Sequence, residues 1–279
     1  MMGINAEKEY LFFNLEKISL INNSPFTLFS IEELFSESLL LSLSEEFPSD
    51  KLFNHQDLAN GKRYGDHTQN VFDKYISSNS SFQEFYKQIT SYEIVSQIFN
   101  SLSDTAELKF LNICKSRIIR KSSCDYVIYN KSRFGKRFKL RIGYEFSSMQ
   151  NGSHLLPHTD SASKLLSILI FLPLKSDFGN NLNVNVGTKF WKSKSNEVVF
   201  PNWNSVSLNA DELEQFYENH ECFIQLPFTA TRHFGFCKSE VSWHSVPTVP
   251  DGFHRKSINI TFWISETRRK KRLPLGKMS

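Results

Sequence analysis

From about Ile118 onward the chain is written in short runs of β-branched and aromatic residues, and this change of texture constrains the fold more than any other feature. The runs "DYVIYN", "FKLRIGYEF", "LLSILIFLP", "ECFIQLPF", "HFGFC", "VSWHSVP" and "SINITFWI" each have the length of a strand and are separated by polar or turn-forming residues. The last run says most. Ile258, Ile260, Phe262 and Ile264 alternate onto one face, while Arg255, Ser257, Asn259 and Thr261 fall on the other. A sheet built this way wants an apolar layer over one face and accepts water or a ligand against the other.

The first hundred residues read mostly as helix and can supply that layer. In "SIEELFSESLLLSLSEEFP", Ser30 caps a helix with Glu33 three residues on, Leu34, Phe35, Leu39 and Leu43 recur at helical spacing, and Pro48 stops it. "SFQEFYKQITSYEIVSQIFNSL" predicts a second helix with Phe82, Phe85, Ile89, Ile94, Ile98 and Leu102 on one stripe. Between them "HQDLANGKRYGDHTQN" is polar, holds two glycines and reads as loop. The expected organisation is α+β: a mainly helical layer over residues 1–110, a strand-built core over 111–266 and a basic tail over 267–279.

Composition narrows the function classes. With 279 residues and 26 Phe against 11 Gly, the chain favours packed elements over flexible linkers. The formal charge of +4 is small, and much of the excess sits in "RRKKR" at residues 268–272, so the body is near neutral and does not read as a nucleic-acid binder. Cys114, Cys124, Cys222 and Cys237 form no C-x-x-C pair or zinc-finger spacing. No signal-like N-terminus and no apolar run approaching ~18 residues is present, which points to a soluble protein of a reducing, cytoplasmic compartment.

The chemistry gathers around "LLPHTDSASKLLSILIFLP". His158 and Asp160 are one residue apart, so in an extended chain both side chains point the same way and can grip one ion. A third ligand is His244 in "VSWHSVPTVP", on another strand end. Two imidazoles and one carboxylate on one side of an ion leave the opposite side open, the arrangement of oxygen-activating non-haem Fe(II) sites. A lone H-x-D is weak evidence, since about 0.3 such pairs arise by chance in this composition. A second pair, His55 and Asp57, lies in the predicted loop and leads into no strand. His67, His154, His220, His233 and His254 have no matching partner, and a surface or hydrogen-bonded role suits each.

A fourth element follows in "FHRKSINITFWI". The ordered set "PHTD", "WHSV" and "RKS" resembles the Fe(II)- and 2-oxoglutarate-dependent dioxygenases, most closely those similar to prolyl 4-hydroxylase, over roughly residues 125 to 266. The resemblance implies a double-stranded β-helix core, a jelly roll of cupin-like type, with the N-terminal helices packed outside. It implies that His158, Asp160 and His244 hold Fe(II) and that Arg255 with Ser257 binds the distal carboxylate of 2-oxoglutarate, a task suited to a guanidinium fork. Tyr144 occupies a strand where such enzymes often place a tyrosine that also reaches the cosubstrate. In related halogenases the carboxylate position is small, so Asp160 implies hydroxylation or another oxidation, with O2 consumed and succinate and CO2 released. One departure is "FGNNLNVNVGTKFW", where Gly179 is followed by two Asn instead of a glycine-rich turn.

Two other classes fit part of the pattern. A metal-holding β-sandwich that binds a sugar or small acid without turnover would use the same two His and one Asp, but has no need of a remote guanidinium. An interaction protein on a degenerate sandwich would not keep an intact ligand set. The segment 179–207, rich in Asn, Lys and Trp, reads as a lid or substrate-binding insert. It favours a small-molecule or carbohydrate-linked substrate over peptidyl proline.

Overall fold

The structure is a computed structural model that describes residues 18–53, 55–56, 61–110, 117–122, 124–129, 137–161, 163–173, 186–195 and 210–267. Strands β1 (Ile18–Asn22) and β2 (Leu28–Glu32) come first, then helix α1 (Glu37–Glu45) and the short strands β3 (His55–Gln56) and β4 (Arg63–Asp66). Helices α2 (Asn70–Ser78), α3 (Ser80–Ile89), α4 (Tyr92–Ser101) and α5 (Ala106–Phe110) follow, and then β5 (Arg117–Arg120), β6 (Asp125–Tyr129) and β7 (Arg137–Met149). The remainder is β8 (Leu155–His158), β9 (Lys164–Phe171), β10 (Lys189–Ser193), α6 (Ala210–Asn219), β11 (His220–Gln225), β12 (Arg232–Cys237), β13 (His244–Val246) and β14 (Arg255–Thr267).

Two antiparallel sheets result. The larger runs β1-β2-β12-β9-β14-β7-β4-β3, with β6 also on β7 and β5 on β6, and the smaller runs β11-β10-β13-β8. From β7 to β14 the chain passes back and forth between them: β7, β9, β12 and β14 lie in the larger sheet, and β8, β10, β11 and β13 in the smaller. This is the strand order of a double-stranded β-helix, the expected fold.

Two apolar layers hold it together. One lies between the helices and the outer face of the larger sheet and buries Phe72, Phe82, Phe85, Ile94, Ile98, Ile258, Ile260 and Phe262. The other lies between the sheets, around Phe171, Phe190, Phe228, Phe234 and Phe236. The alternation along β14 is the alternation between these environments. Ile258, Ile260 and Phe262 are fully buried on the helix side, so truncating Ile260 to Ala would cost about 2–5 kcal/mol.

The N-terminal elements differ from the expectation in three places. The predicted cap Ser30 is buried in β2, and α1 starts six residues later at Ser36, whose hydroxyl accepts the amide of Leu39 at 3.3 Å. Residues 28–32 alternate between faces and pair with β12, and that pairing outweighs the local helical spacing. The predicted long helix is broken at Thr90: Asn79 caps α3 and Ser91 caps α4, although all six stripe residues are buried as expected. The predicted loop carries β4, which pairs with β7.

The part of segment 179–207 that the structure describes is not a lid. Residues 189–193 form β10, the strand between β11 and β13. The Gly179 turn, Asp57 of the second H-x-D pair, Cys114 and the tail from residue 268 lie outside the described residues. Among the described residues Cys124, Cys222 and Cys237 form no disulfide. Among the described residues no helix is long and apolar enough to cross a membrane.

Candidate functional site

His158 is the last residue of β8, and His244 is the first of β13. The antiparallel register makes them direct cross-strand partners, which sends both imidazoles to the same side of the smaller sheet with ring centres 4.3 Å apart. Asp160 follows two residues after His158, and one ligand atom from each of the three lies within 4.8 Å of the others. The sequence separates Asp160 from His244 by 84 residues; strand pairing brings them together.

Each ring is oriented by its own backbone. Nδ1 of His158 donates to the carbonyl of Leu156 at 2.8 Å, and Nδ1 of His244 donates to the carbonyl of Ser242 at 3.0 Å. A carbonyl only accepts, so both Nδ1 atoms carry the proton and both Nε2 atoms offer a lone pair. Burial lowers the pKa of both rings, that of His244 to about 3 with His158 as the next contributor, so the pair is neutral and ready to coordinate.

Asp160 is held as an anion. Burial alone would push its carboxyl up, but the Lys164 ammonium, which also hydrogen-bonds it, outweighs burial and holds the group below the usual carboxylate range. Lys164 donates to Oδ1 at 2.7 Å, and the Ser167 hydroxyl reaches Oδ2 at 3.4 Å. Lys164 in turn lies over the Trp263 ring, 5.4 Å from its centre. Lys164, the first residue of β9, was not among the predicted site residues.

Arg255 and Ser257 lie on the inner face of β14. Arg255 is 3 % exposed; its Nε donates to the carbonyl of Val186 at 2.9 Å, and its two terminal nitrogens donate to Ser257 Oγ at 3.2 Å and Thr188 Oγ1 at 3.4 Å. Phe171 and Phe228 flank the guanidinium at 5.1 and 5.9 Å. Among the described residues no carboxylate pairs with it, and burial alone lowers its pKa to about 10. Gly187 makes the clamp possible: a Cβ there would lie 1.6 Å from the Leu226 carbonyl oxygen, so only glycine lets the segment that carries Val186 and Thr188, just before β10, approach.

Tyr144 is not part of this arrangement. It pairs with Ile260, whose side chain points to the helices, and it therefore points there too. Its hydroxyl donates to Asp73 Oδ1 at 2.9 Å, and its ring packs against Tyr86 and Phe146. The expectation that it reaches the cosubstrate is corrected by strand parity: its neighbours Gly143 and Glu145 lie on the inner face of β7 instead.

A metal ion fits the cluster on three counts: two oriented lone pairs, a carboxylate kept ionised, and a dry wall of Phe190 and Phe236 behind His244. The sequence matches no family model, and no curated protein matches it. Among solved structures the chain is similar to a Pseudomonas putida prolyl-4-hydroxylase, at 11% identity and TM-score 0.42 over 86% of this chain and 94% of that one. It is also similar to SnoK, a non-haem alpha-ketoglutarate-dependent carbocyclase of nogalamycin biosynthesis, at 10% identity and TM-score 0.46 over 90% and 86% of the two chains. A third is the epimerase SnoN in complex with Fe3+, alpha-ketoglutarate and nogalamycin RO, at 10% identity and TM-score 0.49 over 86% and 81%.

Proposed function

We propose that the protein is an Fe(II)- and 2-oxoglutarate-dependent oxygenase that hydroxylates a small-molecule or carbohydrate-linked substrate in the cytoplasm. The observation that carries this reading is Arg255: a buried guanidinium with no carboxylate partner among the described residues, on the inner face of the larger sheet, while the smaller sheet packed against it carries a cluster of two His and one Asp. A buried cation without a counter-charge is costly, and a bound dicarboxylate would supply the missing anion. A metal-binding module without turnover would not need it.

In this reading His158, Asp160 and His244 hold iron through both Nε2 atoms and one carboxylate oxygen. The bound iron and cosubstrate supply the oxidising chemistry, in which 2-oxoglutarate, O2 and a substrate C–H become succinate, CO2 and a C–OH. Arg255 and Ser257 fix the far carboxylate and thereby orient the keto acid toward the cluster. Lys164 and Ser167 hold Asp160 so that it presents one oxygen and stays ionised. Phe171 and Phe228 shield the Arg255 guanidinium from water, and Phe190 shields the His244 ring.

The test is the visible spectrum of anaerobic protein loaded with Fe(II), before and after 2-oxoglutarate is added. A new charge-transfer band in the parent and none in His158→Ala supports the reading. Iron binding with no band would make the protein a binding module, and no iron binding would return the three residues to structural roles.

A further inference from the structure

The inner face of β14 divides at the metal cluster. Arg255 and Ser257 occupy one end; Thr261 lies across from Ser167, which contacts Asp160; Trp263 and Ser265 lie beyond. On that far side a cavity of about 580 Å³ opens, lined by Lys121, Asp125, Lys139, Arg141, Ser163 and Trp263 among others. Its volume is that of a small-molecule site. A second cavity, of about 590 Å³, lies between Glu33, Glu37 and Thr231 and shares no residue with the metal cluster.

Strand register connects the first cavity to the metal. Lys139 pairs with Ser265, Arg141 with Trp263 and Gly143 with Thr261, so these residues form successive rows on one face, roughly 7 Å apart. Arg141 lies one row and Lys139 two rows from the row that touches Asp160. The Lys164 ammonium joins the two regions directly, with one contact to the Trp263 ring and the other to the Asp160 carboxylate.

The groove shows a polar lining that awaits partners. Trp263 Nε1, on this face, is buried with no hydrogen-bond partner among the described residues, as is Nδ1 of His67. The His67 ring fills the space over Gly143, where a Cβ would come within 2.5 Å of it. The charge at the outer end is positive: Lys121, Lys139 and Arg141 against Asp125, which Arg141 meets at 3.4 Å.

We propose that the substrate enters along this groove, on the side of the metal opposite Arg255, and that it carries an anionic group held by Lys121, Lys139 and Arg141. This rests on the oxygenase reading and adds a substrate class to it: a polar molecule with a phosphate, sulfate or carboxylate one to two rows, roughly 7–14 Å, from the carbon that is oxidised. The indole N–H of Trp263 hydrogen-bonds the polar body between. Phosphate, sulfate and carboxylate share the chemistry these cations read, and the probes separate them.

The test uses the full chain, with the Trp263 indole resonance assigned by Trp263→Phe. Glucose 6-phosphate, glucose 6-sulfate, glucuronate and glucose are titrated separately. At least one anionic probe should shift the Trp263 signal at a concentration where glucose does not, and Lys121→Ala/Lys139→Ala/Arg141→Ala should weaken that probe at least tenfold while the indole spectrum keeps its folded dispersion. Lys139→Gln alone should weaken it a few-fold, so the outcome does not hang on the triple variant. Equal response to glucose, no response to any anion, or undiminished binding by the variants overturns the proposal. Tighter binding of a single-stranded oligonucleotide than of every sugar probe overturns it in favour of a nucleic acid. The charge-transfer band of the parent protein is measured separately, so a failed oxygenase reading and a failed groove assignment give different results.

Discussion

His158 and His244 face each other across β8 and β13, and each donates its Nδ1 proton to the carbonyl two residues before it in the chain, Leu156 and Ser242. The same local turn of backbone thus sets the same tautomer twice and turns both Nε2 atoms inward. Replacing either by Ala should weaken Fe(II) binding at least about a hundredfold, since one of three protein ligands is lost, whereas His154→Ala should leave it unchanged. Calorimetric titration of Fe(II) under anaerobic conditions reads both.

Lys164 and Asp160 form a buried pair with side chains 14% and 10% exposed. Lys164→Met leaves the Asp160 carboxylate without its ammonium, at a cost of about 3–5 kcal/mol in metal-free protein. A bound divalent ion restores a positive partner, so the loss in melting temperature should be smaller in the metal-loaded protein. An equal loss in both forms would show that Lys164 acts away from the metal cluster.

Arg255→Met should raise the Kd for 2-oxoglutarate about a hundredfold, because a charge-assisted, two-pronged contact is removed, with Fe(II) affinity unchanged within about twofold. Removing a buried cation that lacks an anion should also leave the metal-free fold no less stable. Tyr144→Phe is the contrasting variant. It should change 2-oxoglutarate affinity less than about threefold and cost about 1 kcal/mol through the lost hydrogen bond to Asp73.

His233 gives a pH dependence separate from the metal cluster. It is buried on β12, neither ring nitrogen has a hydrogen-bond partner among the described residues, and burial lowers its pKa to about 4. The unfolded chain takes up a proton near pH 6.5 and the folded chain does not, so stability falls as pH drops from about 6.5 to about 4, by up to about 1.4 kcal/mol per unit. His233→Leu should flatten that slope by one proton's worth and change stability at pH 8 by less than about 1 kcal/mol. Denaturant unfolding at pH 8, 6 and 5 measures it.

Much of this protein was legible from one strand and two short motifs. The alternation along Ile258–Ile264 is local, because a side-chain period of two fixes which residues share a face. The spacing of His158 and Asp160 is local for the same reason, and the order of His244, Arg255 and Ser257 behind them marked the candidate site. Three further things depended on pairing partners far away in the chain. The strand around Ser30 formed because β12 was there to receive it, overriding a helical pattern that looked adequate by itself. β10 emerged from a polar stretch because β11 and β13 left a place between them. Tyr144 faces the helices because its register against Ile260 sets its parity, and parity relative to a distant strand cannot be read from either strand alone. The sequence by itself determined β6, β7, β9, β11, β12, β13 and β14 and the chemistry they could carry. Tertiary structure decided which side of each strand meets the metal, since that is fixed only when the sheets close on each other.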